Sequence, residues 1–317
     1  MKIFIIGGAG YIGSHMVKAV HKAGHEVITI DNLSTGHEDS VLYGKFEFCD
    51  ILDTDSLKDL FLKYSPDAVM HFAAFSLVGE SISDPYKYYY NNVSGTLSLL
   101  NVMNETNCKK LVFSSSAAIF GNPIYSPIDE DHPKEPINPY GKSKLMIENI
   151  FKDFDSAYGL KYISLRYFNA AGHDNEGKLS ERHNPETHLI PIIMQVARGE
   201  KKFITIFGSD YDTKDGTCVR DYIFIEDLVK VHLESLYLLF DKGFNSSEFN
   251  LGSGIGYSVR EVIQEISKIT GENIKFIDGE RRVGDPPVLI SSNDKINKEI
   301  NVKIDYYPLD KIIKTLK

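Results

Sequence analysis

Gly7-Gly8-Ala9-Gly10-Tyr11-Ile12-Gly13 lies between an apolar run at residues 3–6 and a helical pattern that starts near Ser14. Such a turn needs glycine where the backbone bends sharply or must come close to a phosphate, and it leaves the free N–H groups of the helix start facing outward. A short glycine-rich stretch also suits an ordinary tight turn, so its context decides. Here the context is a rhythm. Short β-rich runs at residues 3–6, 27–30, 46–48, 68–72, 111–113 and 162–167 alternate with helix-like segments. Each run is apolar on both parities, which suits a parallel strand covered on two faces by helices. The fold class expected is α/β: a doubly wound parallel Rossmann sheet with right-handed crossovers, followed by a smaller C-terminal α/β domain. Around Gly172 the rhythm stops, and a polar stretch at residues 173–186 opens a second region. The expected division is residues 1–171 and 172–317, with a segment near 217–232 returning to the first part.

Composition narrows the partners. A chain of 317 residues with 42% apolar content can bury a sizeable core. Its formal charge of −9 comes from acidic residues scattered among lysines and arginines, without the basic stripe that nucleic acid requires. Cys49, Cys108 and Cys218 are far apart and unpaired in spacing, which suggests neither a disulfide framework nor a zinc site and fits a reducing, cytoplasmic setting. No stretch approaches the roughly 20 apolar residues of a membrane span. The ten histidines include no His-Glu-x-x-His helix. His183, Glu186 and His188 straddle Pro185 in an expected loop, and without helical ligand spacing no metal site is expected there. Tyr86, Tyr88, Tyr89 and Tyr90 lack basic neighbours and read as helix packing rather than base stacking.

Asp31 ends the second apolar run, where a carboxylate can hold a ribose 2′-OH and would repel a 2′-phosphate. With Gly7, Gly10, Tyr11, Ile12 and Gly13 around the turn, it makes a dinucleotide site, and NAD is preferred over NADP. Asn32 follows it; Asp50-Ile51 ends the third run, placed to meet an adenine, and Phe72-Ala73-Ala74 ends the fourth. Ser114-Ser115-Ser116 closes the fifth, and Tyr140-Gly-Lys-Ser-Lys144 follows. Residues i and i+4 share a helix face, so the Lys144 ammonium is expected beside the Tyr140 phenol, favouring its ionised form. Asn138 is a good N-cap and Pro139 suits the first helical position. Alone, Tyr-x-x-x-Lys is a helix surface pair; after the fingerprint and the serines it describes an active site.

With these parts in order, the chain resembles the extended short-chain dehydrogenase/reductase family, in the branch that epimerises nucleotide sugars at carbon 4. The likeness runs nearly end to end. Its more specific pieces are Tyr90-Asn91-Asn92-Val93, Arg166-Tyr167-Phe168-Asn169, Gly216-Thr217-Cys218-Val219-Arg220-Asp221-Tyr222, Asn250-Leu251-Gly252 and Arg281-Arg282-Val283-Gly284-Asp285. The resemblance implies tightly bound NAD and a UDP-hexose substrate. Ser116 and Tyr140 would contact the sugar 4-hydroxyl, with Lys144 holding the nicotinamide ribose. Asn91, Ser114 and Phe168 would line the cofactor. Asn169 and Arg220 would grip the diphosphate, Phe207 would stack near the uracil, and Arg282 with Asp285 would bind phosphate and uridine ribose. His188, Leu189 and Tyr222 complete the implied substrate set. Leu289 stands where relatives place a residue near the carbon 2 substituent; being smaller than the tyrosine that excludes N-acetyl groups, it implies activity on UDP-GlcNAc and UDP-GalNAc as well. Helix-like residues 91–107 and 141–157 match the dimer elements of relatives, so a homodimer is implied. Ser76, Phe120, Cys218, Phe224 and His188 depart from the family's commoner residues. The acidic pair with which 4,6-dehydratases move protons is replaced by Ala117 and Ala118. A net sugar-nucleotide reductase or dehydrogenase, and a non-catalytic NAD-sensing protein, are the competing readings.

Overall fold

The computed structural model describes residues 1–282, 284–300 and 307–317. Strands β1 (Lys2–Ile6), β2 (Glu26–Asp31), β3 (Lys45–Phe48), β4 (Ala68–His71), β5 (Lys110–Ser116) and β6 (Lys161–Tyr167) fall where the apolar runs predict. They form one sheet with Ser247–Leu251, in the order Ser247–Leu251, β6, β5, β4, β1, β2, β3. All six neighbouring pairs are parallel. The two-residue period of a strand sorts side chains between two cores. Ile3 and Ile5 join Met16, Val17, Leu228 and Val231 on one face. Phe4 and Ile6 join Leu57, Phe61, Leu99 and Phe151 on the other. Helices Tyr11–Lys22 and Ile225–Leu238 therefore cover the first face, and Thr54–Tyr64, Gly95–Glu105 and Pro139–Tyr158 the second.

The sheet winds outward in both directions from β1 and β4, and a crevice opens at the carboxyl ends of those two strands. Two glycines shape it. Gly7 has φ +79°, and a Cβ there would lie 2.4 Å from the Ala73 nitrogen just past β4. A Cβ on Gly13 would lie 2.1 Å from the Gly7 carbonyl oxygen, so the first helical turn seats directly on the turn before it.

Beyond β6, strands Asn169–Ala171, Val219–Phe224, Gly256–Ser258 and Val288–Leu289 make a small mixed sheet, and Ile204–Phe207 pairs with Phe276–Gly279. Its anchor is Asp221, whose buried carboxylate accepts from the N–H groups of Ser253 (2.6 Å), Gly254 (2.9 Å) and Ser291 (3.1 Å). The chain then returns: Ile225–Leu238 packs on the first helix and Ser247–Leu251 supplies the seventh strand of the large sheet. The sequence reading did not find that strand. Ser-Glu-Phe-Asn-Leu mixes polar and apolar residues, as an edge strand does, and shows no continuous apolar run. Among the described residues no helix is long and apolar enough to cross a membrane.

Candidate active site

Helix Pro139–Tyr158 begins where expected. Asn138 Oδ1 accepts the Gly141 N–H at 2.8 Å, and Pro139 occupies the first turn. A Cβ on Gly141 would come within 2.3 Å of the Ala118 carbonyl oxygen, so the helix start abuts the turn that follows β5. That contact brings Tyr140 near Ser116, whose hydroxyl favours the ionised phenol. One turn later Lys144, 2% exposed, donates from Nζ to the Ser114 carbonyl at 2.7 Å. Its Nζ lies 4.6 Å from the centre of the Phe113 ring and 5.8 Å from that of Tyr140.

Here the electrostatics differ from the sequence expectation. Burial raises the Tyr140 phenol above its ordinary value, and the Ser116 hydroxyl opposes this only in part. Burial also drives the Lys144 ammonium down to about 7, against the attraction of Glu148. Spacing of i and i+4 brings the two stems together but turns the ammonium to a carbonyl. Desolvation then disfavours the charged form of both groups. With protein groups alone, Lys144 does not lower the phenol.

Two further residues hold this arrangement, and the sequence reading gave them no role. Glu148 accepts from Arg166 Nε at 3.0 Å and Nη2 at 2.7 Å, and from Ser115 Oγ at 2.6 Å. An arginine inside an otherwise apolar strand was the available signal. Asn92 sits in a π-helical turn, Tyr89–Ser94, within the helix that runs from Pro85 to Glu105. Its side chain pairs with both the N–H and the carbonyl of Phe75, at 2.9 and 3.0 Å, and donates to Ser143 Oγ at 3.2 Å. The loop after β4 is thereby tied to helix Pro139–Tyr158, with Asn91 beside it donating to Asn92. Ser114 is hydrogen-bonded to the Tyr167 hydroxyl.

The crevice fits a dinucleotide. Helix Tyr11–Lys22 has no side-chain cap at Gly10 and no carboxylate in its first turn, so its N–H groups are left for an anion. Nothing but the Gly7 carbonyl, at 3.5 Å, would meet a Cβ on Gly10. Asp31 is buried at the end of β2 and accepts from Ala9 N at 2.9 Å and Leu33 N at 2.8 Å, which leaves acceptor capacity for a ribose hydroxyl. Asn32 donates to Asp50 at 2.7 Å across the strand ends. Ile51 differs from the expectation: its side chain is buried in the core, so close to Gly95 that a Cβ there would come within 2.4 Å of Ile51 Cδ1. Phe72 and Ala73 flank the crevice and pack on opposite cores, with Ala74 following; Ile12 and Leu189 pack against the first core. Tyr11 donates to the Gly172 carbonyl at 2.5 Å.

Most of the implied substrate residues converge on the small sheet. Asn169 donates to the Asp221 carbonyl at 2.9 Å and pairs with the buried Tyr222. Leu289 lies opposite Arg220 in the adjacent strand and packs, with Phe168, against Ala117, Ile119 and Phe120 just past Ser116. Arg220 is ion-paired with Asp285. Asp285, Arg282 and Tyr211 line a cleft of about 440 Å³, whose wall includes Asn122 and Ile137, close in sequence to Ser116 and Tyr140. The Arg282 guanidinium lies 4.0 Å over the centre of the Phe207 ring. Val283 lies outside the described residues. His188 faces Glu181 and Glu186 instead. Phe120 is buried below the Arg166 guanidinium, Phe224 stacks on Tyr307, and Cys218 is buried.

The chain matches the NAD dependent epimerase/dehydratase family over residues 3–252. It is 48% identical over 316 residues to a UDP-glucose 4-epimerase of Lacticaseibacillus casei, covering 99% of this chain and 95% of that one. A solved UDP-glucose 4-epimerase from Brucella ovis in complex with NAD superimposes with a TM-score of 0.96 at 45% identity, covering 99% and 96% of the two chains. The UDP-Glc/GlcNAc 4-epimerase from Campylobacter jejuni gives a TM-score of 0.86 at 41% identity, covering 99% and 97%.

The Lys144 environment has a measurable consequence. The buried ammonium titrates near 7, against 10.5 ordinarily, so between these values the unfolded chain binds more protons and stability rises with pH. A Lys144→Met variant loses this contribution. Urea unfolding is expected to show wild type gaining about 2 kcal/mol relative to the variant between about pH 7 and about pH 9. A difference that stays flat over that range contradicts the assignment.

Proposed function

The chain belongs to the NAD dependent epimerase/dehydratase family, and from that premise we propose that it interconverts UDP-hexoses, UDP-glucose and UDP-galactose, by inverting carbon 4 through a transient 4-keto sugar. The observation that carries this reading is Tyr140 near Ser116 with Lys144 one turn on, beside the glycine crevice and the arginine-lined cleft. When bound, NAD supplies a positively charged hydride acceptor and gives the hydride back, so no net redox change accumulates. Tyr140 takes the proton of the 4-hydroxyl as the carbon–oxygen double bond forms, and returns it once the sugar has presented its other face. Ser116 holds the same oxygen from the other side. Lys144, fixed at the Ser114 carbonyl, is the cation placed to hold the ribose next to the reacting carbon.

Turnover of the sugar between two faces requires a firm hold on the nucleotide and a loose one on the hexose. Arg220, Arg282 and Asn169 are suited to the diphosphate, and Phe207 with Asp285 to the uridine end. Ala117 and Ala118 offer no proton donor for chemistry at carbons 5 and 6, which disfavours dehydration. Leu289, shorter than a tyrosine and packed beside Ala117, supports room for an acetamide at carbon 2. A homodimer is supported by the side-by-side helices that run from Gly95 and from Pro139. Leu97 and Met146 are exposed on them, whereas Leu100 and Val102 belong to the core. Three free, buried cysteines suit a reducing compartment.

Purified protein assayed on UDP-galactose without added cofactor should form UDP-glucose, whereas steady NADH accumulation would favour the reductase reading. A Tyr140→Phe variant that keeps its fold by circular dichroism should lose about 10²–10⁴-fold in kcat; unchanged turnover defeats the proposal. Leu289→Tyr should lower turnover of UDP-GlcNAc at least about tenfold with little effect on UDP-glucose, and absence of wild-type activity on the acetylated sugar removes the Leu289 argument. Sedimentation velocity should give twice the chain mass; a monomer at micromolar concentration rules out the dimer.

A further inference from the structure

The segment between Ala171 and helix Leu189–Ala197 gathers four side chains that the spacing along the chain did not promise. Their possible ligand atoms, one from each of Glu181, His183, Glu186 and His188, all lie within 4.8 Å of one another. His188 Nδ1 is 2.8 Å from a Glu181 oxygen and 3.0 Å from a Glu186 oxygen. His183 Nδ1 is 3.1 Å from Glu181 and 3.8 Å from Glu186. A tetrahedral ion with bonds of about 2.1 Å sets its ligand atoms about 3.4 Å apart. The four separations bracket that figure.

We propose that Glu181, His183, Glu186 and His188 bind one divalent cation of borderline softness, zinc, as a structural site.

Three observations carry this beyond a cluster of charges. Both carboxylate side chains are more than nine-tenths buried, at 5% and 7% exposed, and lie against His183 and His188 at a site whose outer edge, at His188, is 46% exposed. His183 Nδ1 is buried and has no hydrogen-bond partner although a carboxylate oxygen lies 3.1 Å away. His188 Nδ1, by contrast, is hydrogen-bonded to Glu186 Oε1 at 3.0 Å, a bond that the metal would replace. The loop backbone is also fixed from outside. Arg182, between two of the ligands, makes two hydrogen bonds to Asp39, of 3.0 and 2.6 Å, and one of 2.6 Å to Ser40. Its carbonyl lies 2.9 Å from His37 Nε2, and Asp174 is ion-paired with Lys18.

Two imidazoles and two carboxylates suit zinc, whereas magnesium and calcium prefer all-oxygen shells. Four protein ligands fill a tetrahedral shell and leave no open position for chemistry. The site's place gives its role. His183 stands edge-on to the Tyr11 ring at 6.4 Å, and Tyr11 belongs to the glycine turn. A metal here would clamp the second region's loop onto the start of helix Tyr11–Lys22, independently of the reaction at Tyr140. No metal was expected from the sequence because helical ligand spacing is absent; a folded loop meets the need in another way.

The test uses the full-length chain without an affinity tag. After gel filtration, elemental analysis should find about one zinc per chain in wild type, and less than about a tenth of that in His183→Ala/His188→Ala. Glu181→Gln/Glu186→Gln, which keeps the side-chain shapes, should lose the metal equally. Wild type stripped with a chelator and given Co²⁺ should develop the intense visible bands of four-coordinate cobalt, and its melting temperature should fall on stripping and recover with Zn²⁺. Folded wild type that holds no zinc and gives no cobalt bands overturns the proposal. Zinc retained in full by both variants overturns it too, as an adventitious ion elsewhere.

Discussion

The rest of the site depends on one buried ion pair. Arg166 on β6 and Glu148 on helix Pro139–Tyr158 are 1% and 0% exposed at the side chain and meet through two hydrogen bonds. Ser115 on β5 adds a third bond to the same carboxylate. Losing one partner of such a pair leaves an uncompensated charge in the core, a cost of roughly 3–5 kcal/mol. The pair therefore works as a register pin that locks the helix to two strands at one rotation. Lys144 lies one turn before Glu148 and Tyr140 one turn before that, so both inherit their direction from it.

Magnitudes decide how the tyrosine can work. Lowering Lys144 from 10.5 to about 7 corresponds to about 5 kcal/mol against its charged form. Burial acts on Tyr140 in the same sense, against phenolate. A site that withholds charge from both groups is a poor base on its own and becomes one only when further positive charge arrives close by. This favours a reaction in which the proton leaves the sugar together with hydride, over one in which a standing phenolate waits in the protein. The neutral His71 nearby fits the same picture: burial holds it down to about 3, and Lys144 pushes it the same way.

Much of this was legible in the residues. Six of the seven sheet strands announce themselves as apolar runs, five of them because they are buried on both faces and β3 at the edge through its two phenylalanines, and the helix start at Asn138-Pro139 is a local capping signal. Gly7 and Gly13 were legible as a turn, though the reason for each, a clash with Ala73 and with the Gly7 carbonyl, belongs to the packed structure. Three things were not. Ser247–Leu251 is an edge strand without an apolar run. Asn92 acts through a bond to Ser143, 51 residues away, which no periodicity encodes. The charge state of Lys144 follows from burial, and spacing says nothing of burial.

Tyr140 stands on a helix packed on the large sheet and Arg220 on a strand of the small one, so their relative position needs its own fastening. Asp221 provides it. Its neighbour Arg220 pairs with Asp285 at the cleft, while its carboxylate accepts the N–H groups of Ser253, Gly254 and Ser291 and the hydroxyl of Ser253. Ser253 and Gly254 follow directly on the seventh strand of the large sheet, and a Cβ on Gly252 would come within 2.4 Å of Asp221 Oδ2. The Asp221 carboxylate thus ties the small sheet to the end of the large one, together with Asn293, whose side chain pairs with the N–H and the carbonyl of Gly252 at 3.0 Å each. A joint fixed by these buried bonds suits a reaction in which the nucleotide is held and the hexose turns.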